Sequence, residues 1–297
     1  MVGFNMHPRW AFGELLPGFL EPLRAAGLRA LECELWDGDP DWLRFLPLME
    51  ECQRLGLKLC FHAPYRGSLY NVSGFAGEKR VEIKTAFARM LDVAARFAPA
   101  PVVFHGARSA TESHDALYAD TVAFLEWVLD CYPLLVPALE NLGPNPRLVK
   151  IGTSRIDILN IVERIGDPRL GLCWDMGHDV LAGRPSIPKE AFLRRVVHVH
   201  VHDVDEHGTD HYPLLYGRVP YRAWLPTLVQ AGFGGIVTLE IKGGQLVHLK
   251  LEQIKQSLVA SVAEIARLLA VPAPTPGPSP NSGGGEEKPS PPRVGGN

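Results

Sequence analysis

Hydrophobic positions along the chain form short, nearly continuous runs that alternate with longer segments of helical periodicity. Runs that are apolar on both faces are typical of parallel strands covered on both sides of a sheet. Eight such runs are predicted as strands, at residues 2–6, 30–36, 58–62, 101–105, 136–141, 170–175, 196–202 and 235–241. The alternation therefore predicts repeated strand-then-helix units.

The segments between these runs carry helix signals. Ile83, Phe87, Met90 and Ala94 recur at helical spacing, and Ser154 is a suitable N-cap. The predicted helices lie at residues 79–97, 115–129, 154–165, 221–230 and 249–269. Eight units without a break in composition predict one domain over residues 1–270, a single (β/α)8 TIM barrel. Residues 271–297, rich in Pro, Gly and Ser, are predicted to be a disordered tail.

A doubly wound α/β sheet is the structural alternative. Such a sheet usually carries a Gly-rich phosphate turn after its first strand. Here the first predicted strand is followed by Asn5-Met6-His7-Pro8, which is not such a turn. The barrel is therefore favoured.

Composition narrows the class of protein. The formal net charge is −3, so no basic excess indicates nucleic-acid binding. The five cysteines are scattered and form no C-x-x-C pair, which is typical of reduced thiols in a cytoplasmic protein. The N-terminus lacks the layout of a signal peptide and no apolar run is long enough for a bilayer, so we expect no membrane association.

Polar residues that can bind metal fall at the C-terminal ends of most predicted strands. These ends form one ring in a (β/α)8 barrel, and the chemistry of the fold is found there. The residues are His62, His105, Glu140, Asn141, Asp175, His178, His200, His202 and Glu240, and His211 follows the seventh strand. Carboxylates and imidazoles crowded in a partly buried mouth repel one another or suffer desolvation, which a divalent cation relieves. The pattern therefore predicts at least one divalent metal ion.

The seventh predicted strand carries three histidines with a spacing of two. His198, His200 and His202 share one face, and the alternating valines Val197, Val199 and Val201 are predicted to face the outer helices. Three residues spread along a strand cannot all bind one ion directly. One is predicted as the ligand, and the others pack below it or contact substrate or a supporting group.

Six short segments resemble the xylose isomerase-like superfamily of TIM barrels. They are FHAPY (61–65), FHG (104–106), LEN (139–141), WDMGH (174–178), HVHVHD (198–203) and LEI (239–241). They lie at strand ends in the order found in that superfamily, over roughly residues 1–270. The superfamily contains sugar isomerases and epimerases as well as apurinic-site nucleases of the endonuclease IV type.

The resemblance implies a shared metal site formed by Glu140, Asp175, His200 and Glu240. In the isomerase and epimerase branch the two glutamates also move the proton, so Glu140 and Glu240 are the implied catalytic residues. Substrate contacts are predicted for Tyr65, Asn141, His202 and Lys242, with a contact from His178 to a substrate oxygen implied by the family.

In the nuclease branch three zinc ions are bound. His62 and His105, with Glu140, are implied for a second metal site, and His178 and His211 for a third. The third site of the family also uses an aspartate two residues before its last histidine, where this chain has Thr209. Asp210 is adjacent but out of register. One metal site is thus well supported, and up to three are implied.

Two functions stay open. The first is a divalent-metal-dependent isomerase or epimerase acting on a small carbohydrate or sugar phosphate, with Mn or Zn as the expected metal. The alternative is a zinc phosphodiesterase that cleaves DNA at apurinic sites, in which case DNA is the partner. Related barrels also suggest a homo-oligomer. Glu32 and Glu34 share one face of the second strand, and one of them either enters the mouth or forms a strand-end salt bridge.

Overall fold

The computed structural model describes residues 1–5, 18–34 and 45–270. The predicted tail at residues 271–297 lies outside these ranges, as do residue 6 of the first predicted strand and residues 35–36 of the second.

Eight parallel strands close into a barrel, as the sequence predicts. Ten strands occur in the described ranges: β1 (Val2–Asn5), β2 (Leu28–Glu34), β3 (Lys58–His62), β4 (Ala100–Phe104), β5 (Arg108–Ser109), β6 (Leu135–Glu140), β7 (Val149–Lys150), β8 (Gly171–Asp175), β9 (Val196–Val201) and β10 (Ile236–Leu239). The barrel order is β1-β10-β9-β8-β6-β4-β3-β2, and β5 and β7 form a separate antiparallel ribbon. The molecule is a (β/α)8 TIM barrel with that ribbon at its mouth.

Helices follow the strands and cover the barrel. In the described ranges they are α1 (Leu20–Ala25), α2 (Leu46–Arg54), α3 (Arg80–Ala95), α4 (His114–Cys131), α5 (Arg155–Ile165), α6 (Met176–Leu181), α7 (Glu190–Leu193), α8 (Tyr221–Gln230) and α9 (Leu251–Leu269). Ser154 caps α5 as predicted, because its hydroxyl accepts from the backbone N–H groups of residues 156 and 157. None of these helices is long and apolar enough to cross a membrane.

The main apolar core lies between the strands and the helices. Phe87, Phe104 and Phe124 meet there, with ring centroids 4.7 to 6.3 Å apart. Small apolar groups fill the lower half of the barrel interior, in clusters that include Ala30, Cys60 and Ile236, and Val103, Ala138 and Cys173. The polar side chains stand above them, so the packed lower layers support the functional end.

Strand β9 departs from simple alternation at Val197. Leu172 pairs with Val196, but the next residue, Cys173, pairs with His198, so Val197 is an extra residue in β9. Such a bulge turns the side chain away from its expected face. Val197 packs against the interior cluster that contains Cys173, and the prediction that it faces the outer helices is wrong. The three histidines beyond it keep one face and are fully buried.

The loop after β9 is organised by one buried carboxylate. Asp203 accepts hydrogen bonds from the backbone N–H groups of residues 204, 216, 217, 218 and 219, at 2.5 to 3.4 Å. Its side chain is excluded from solvent. Asp203 therefore fixes the course of the loop that follows His211.

Replacing this carboxylate should destabilise the protein. In Asp203→Asn the amide nitrogen faces backbone donors, so at least one buried N–H loses its partner. We expect the free energy of unfolding to fall by about 3 kcal/mol, from the cost of unsatisfied buried donors and charged hydrogen bonds. Urea unfolding followed by circular dichroism measures this, with the exposed Asp130→Asn as control. A loss below about 0.5 kcal/mol would contradict the anchoring role.

Candidate metal centre

Four side chains from four strand ends converge at the mouth of the barrel. They are Glu140, Asp175, His200 and Glu240, and each offers a ligand atom within 4.8 Å of the others. His200 Nδ1 lies 3.2 Å from Glu140 Oε1 and 3.1 Å from Glu240 Oε2. All four residues are at most 5% exposed. The structure thus brings together the set that the sequence suggested as a shared metal site.

His200 is oriented from below by Glu32. Its Nε2 lies 3.0 Å from Glu32 Oε1, while its Nδ1 faces the three carboxylates of the cluster. A carboxylate that accepts from one imidazole nitrogen leaves the other nitrogen free to bind a metal and raises its basicity. Glu32 therefore points into the barrel but lies below the mouth, within ion-pair distance of His198 and His200.

Loss of the Glu32 charge should weaken metal binding without removing a direct ligand. In Glu32→Gln we expect the affinity for Zn or Mn to fall about 10- to 100-fold, the usual effect of losing a supporting partner. Glu32→Asp should retain part of the affinity, and the exposed Glu50→Gln serves as control. Competition with a chromophoric chelator measures the affinity, and an unchanged value in Glu32→Gln would contradict the orienting role.

A buried group below the main cluster was not predicted. Glu32, Cys60 and His198 place ligand atoms within 4.8 Å of one another and are fully buried. His198 Nε2 lies 2.5 Å from Glu32 Oε2, and the Thr238 hydroxyl donates to the same oxygen at 3.2 Å. Alternation along each strand indicates that Glu32 on β2 and the histidines on β9 can point into the barrel. The sequence does not give the register between these two strands, so it could not predict that the side chains meet.

A second ligand group shares Glu140. His105 Nε2 lies 2.8 Å from Glu140 Oε2, and His62 Nε2 lies 3.3 Å from the same oxygen. Tyr65 stacks on the His105 ring at a centroid distance of 4.3 Å. Burial alone would lower the pKa of His62, but Glu140 outweighs it and raises the pKa to about 9. Burial dominates at His105 and lowers its pKa to about 4.

A third ligand group shares Asp175. His178 Nδ1 lies 3.2 Å from Asp175 Oδ2, and His202 Nε2 lies 3.1 Å from Asp175 Oδ1. The His211 ring stacks on His202 with centroids 4.1 Å apart. His211 has a φ of 62°, a conformation that is uncommon for residues other than glycine and is enriched at functional sites.

His202 has a different place from the one predicted. It is fully buried and contacts Asp175 instead of lining the cavity, because the backbone N–H of His211 donates to its Nδ1 at 3.0 Å. Asp210 does not join the third group. Its Oδ1 lies 2.8 Å from His211 Nδ1 and 3.1 Å from Lys242 Nζ. Because Nδ1 accepts from His211, the other ring nitrogen of His202 donates to Asp175, so His202 orients this carboxylate.

The electrostatics of the mouth favour added positive charge. Burial alone would raise the pKa of Glu140, but His105 and His200 outweigh it and hold the pKa well below its usual range. His200 and His211 likewise outweigh burial and lower the pKa of Glu240. These carboxylates are ionised at neutral pH and can act as metal ligands or as proton acceptors.

An open cavity of about 240 Å³ lies above these groups. Its lining includes Glu140, His178, His211 and Glu240, together with Tyr65, His105, Arg108, Lys150 and Lys242. Asn141, which was predicted to contact substrate, is not part of the lining. Its side chain donates to the Asp175 carbonyl at 2.8 Å and accepts from the Asp175 N–H at 2.7 Å.

A model of the xylose isomerase-like TIM barrel family matches residues 20–264. The chain belongs to this family. An uncharacterized protein of Methanocaldococcus jannaschii is 32% identical to this xylose isomerase-like barrel over 107 residues. That alignment covers 35% of the chain and 36% of the relative, so the chain matches about a third of the relative's length.

Solved structures share the fold at low sequence identity. A xylose isomerase domain protein from Alicyclobacillus acidocaldarius has a TM-score of 0.62 and 22% identity, covering 91% of this chain and 99% of its own. D-allulose 3-epimerase from Methylomonas sp., in complex with D-allulose, has a TM-score of 0.67 and 15% identity, covering 90% and 96%. The 3-keto-D-glucoside 4-epimerase from E. coli has a TM-score of 0.62 and 15% identity, and the match covers 88% of this chain and 98% of the epimerase.

The fold of this xylose isomerase-like barrel implies a divalent metal, and the residues present fit one. Glu140 Oε1 and Glu240 Oε2 lie 3.2 and 3.1 Å from the same nitrogen, His200 Nδ1, and a cation bound among these donors would offset the repulsion between the carboxylates. Glu240 Oε2 is buried and has no well-oriented hydrogen bond within the described residues. Mixed imidazole and carboxylate donors of this kind suit Zn or Mn.

Proposed function

We propose that this protein is a divalent-metal-dependent isomerase or epimerase of a small carbohydrate, with Glu140, Asp175, His200 and Glu240 as metal ligands. The observation that carries the proposal is the placement of two ionised carboxylates, Glu140 and Glu240, beside His200 Nδ1 in the lining of the cavity. The epimerases among the structural neighbours support the same reaction class.

Proton transfer next to a carbonyl needs an acceptor and a donor placed at the reacting carbons. Glu140 and Glu240 line the cavity and are ionised, so either can take the proton and, once protonated, return it to the neighbouring carbon in an isomerisation. In an epimerisation the second carboxylate first takes a proton from solvent and then delivers it to the opposite face of the same carbon. When bound, a divalent ion polarises the substrate carbonyl and its neighbouring hydroxyl. His178, with 12% of its side chain exposed, faces the cavity and is placed to contact a substrate oxygen.

Solvent exchange tests the reaction class directly. The metal-loaded protein is incubated with a panel of ketoses, sugar acids and sugar phosphates in deuterated water, and the products are examined by NMR. We expect deuterium at the carbon next to the carbonyl of the true substrate, together with an isomer or epimer. Absence of exchange across the panel with Mn and with Zn would refute the proposal.

A second candidate, a zinc phosphodiesterase, is favoured by one specific observation. Three of the groups of potential ligands at the mouth are linked by shared carboxylates, with Glu140 in two of them and Asp175 in two. Several ions held this close could activate water and bind the leaving oxygen of a phosphodiester.

The metal count and a nicking assay separate the two candidates. The protein is purified without chelators or affinity nickel, and metal is quantified per chain. One ion per chain and no cleavage of an abasic duplex would favour the isomerase. Close to three zinc ions together with nicking would favour the phosphodiesterase.

A further inference from the structure

The two-stranded ribbon at the mouth places two cations opposite each other. Arg108 of β5 pairs in register with Lys150 of β7 in antiparallel orientation. Directly opposed residues of such a pair point to one side of the ribbon, and both side chains here line the cavity. Like charges in this arrangement repel, so the pairing needs compensation from another group.

Neither cation has a carboxylate partner within the described residues. The Arg108 guanidinium donates to the Tyr65 carbonyl, a neutral group, and no ion pair forms at Lys150. Burial and the charge of Arg108 lower the pKa of Lys150 and outweigh the opposite effect of Glu140 and Asp210, which form no ion pair with it, and burial lowers the pKa of Arg108. The third cation of the lining, Lys242, is different because it lies 3.1 Å from Asp210.

The ribbon is held firmly beside the proposed metal ligands. The Asn71 side chain donates to the Arg108 carbonyl at 2.7 Å and accepts from the Arg108 N–H at 3.2 Å. The N–H of Leu142, two residues beyond Glu140, donates to the Gly152 carbonyl at 2.8 Å. A Cβ at Gly152 would lie 2.8 Å from the Glu140 carbonyl, so only glycine allows this approach.

We propose that Arg108 and Lys150 form an oxyanion-binding site that receives a phosphate or carboxylate group of the substrate. A guanidinium fork and an ammonium on one side of a half-buried cavity provide charge-assisted donors for such a group. The inference rests on the proposed sugar chemistry, because the reacting carbons of the same molecule would lie over Glu140 and Glu240. The substrate class is then a sugar phosphate or sugar acid rather than a neutral ketose.

Binding of inorganic phosphate to the full chain tests the site without turnover. Isothermal titration calorimetry at constant ionic strength compares the wild type with Lys150→Gln and Lys150→Arg, both as purified and after removal of metal by a chelator. We expect Lys150→Gln to weaken phosphate binding about 10-fold or more, and Lys150→Arg to stay within about threefold of the wild type. Lys58→Gln removes the same charge from the start of β3, at the opposite end of the barrel, and should bind like the wild type.

The outcomes separate this inference from the proposed function. If acetate displaces phosphate, the site is assigned to a carboxylate group of the substrate. If phosphate binds and acetate does not displace it, the site is assigned to a phosphate group. Equal phosphate affinity in Lys150→Gln and the wild type, or no binding of either anion, overturns the inference even if neutral ketoses exchange deuterium. If phosphate binding depends on Lys150 but no substrate exchanges deuterium, the proposed isomerase function is refuted and the anion-binding site is retained.

Discussion

Glu240→Gln should lose at least about 1,000-fold in the rate of deuterium exchange on the true substrate. A positioned general base contributes about 10²- to 10⁴-fold, and the amide of glutamine cannot accept the proton. The substitution keeps the size of the side chain and also removes a charge from the proposed metal ligand set. The measurement is the initial rate of deuterium incorporation at saturating metal, with protein whose circular dichroism matches the wild type.

A matched substitution separates the site from general effects of charge. Glu163 is exposed near the C-terminal end of the outer helix α5 and belongs to none of the ligand groups. Glu163→Gln should therefore keep the wild-type rate. Glu140→Gln should lose as much activity as Glu240→Gln, because both carboxylates lie beside His200. A Glu240→Gln variant that retains more than a tenth of the wild-type rate would remove Glu240 from the proton transfer.

Asp175→Asn should strongly reduce metal binding. Asp175 belongs to two of the ligand groups, one with Glu140, His200 and Glu240 and one with His178 and other imidazoles. A neutral amide in this position lowers the negative charge that attracts a cation to both groups. We expect the metal-to-protein ratio of the purified variant to fall by at least half under conditions that load the wild type fully.

Metal removal should destabilise the wild type and leave this variant nearly unchanged. An ion that binds only the folded state at 100 times its Kd adds about 2.7 kcal/mol of stability. Chelator should therefore lower the free energy of unfolding of the wild type by about 3 kcal/mol, and added Zn or Mn should restore it. The exposed Asp130→Asn should respond to chelator like the wild type. An Asp175→Asn variant with full metal content and full chelator response would end the case for this cluster.

The sequence predicts the fold of this protein because its signal is local and repeated. Each apolar strand run and each helical periodicity indicates, within a few residues, which side chains are buried. Eight repeats of one strand-then-helix unit can pack together in only a few arrangements. The C-terminal strand ends could also be read directly, since a run that ends at His62 or Glu140 places that residue at the mouth. The resemblance to the xylose isomerase-like family implied Glu140, Asp175, His200 and Glu240 as one set, and closure of the barrel brings these four side chains together.

Other features were decided only by the tertiary structure. The entry of Glu32 into the barrel, the bulge at Val197 and the opposition of Arg108 to Lys150 depend on register between strands distant in sequence. The burial of His202 depends on the path of the loop that returns to His211. Local patterns determine which face of a strand a residue takes, but strand register and loop path are set by packing of the whole barrel, and no short segment encodes them.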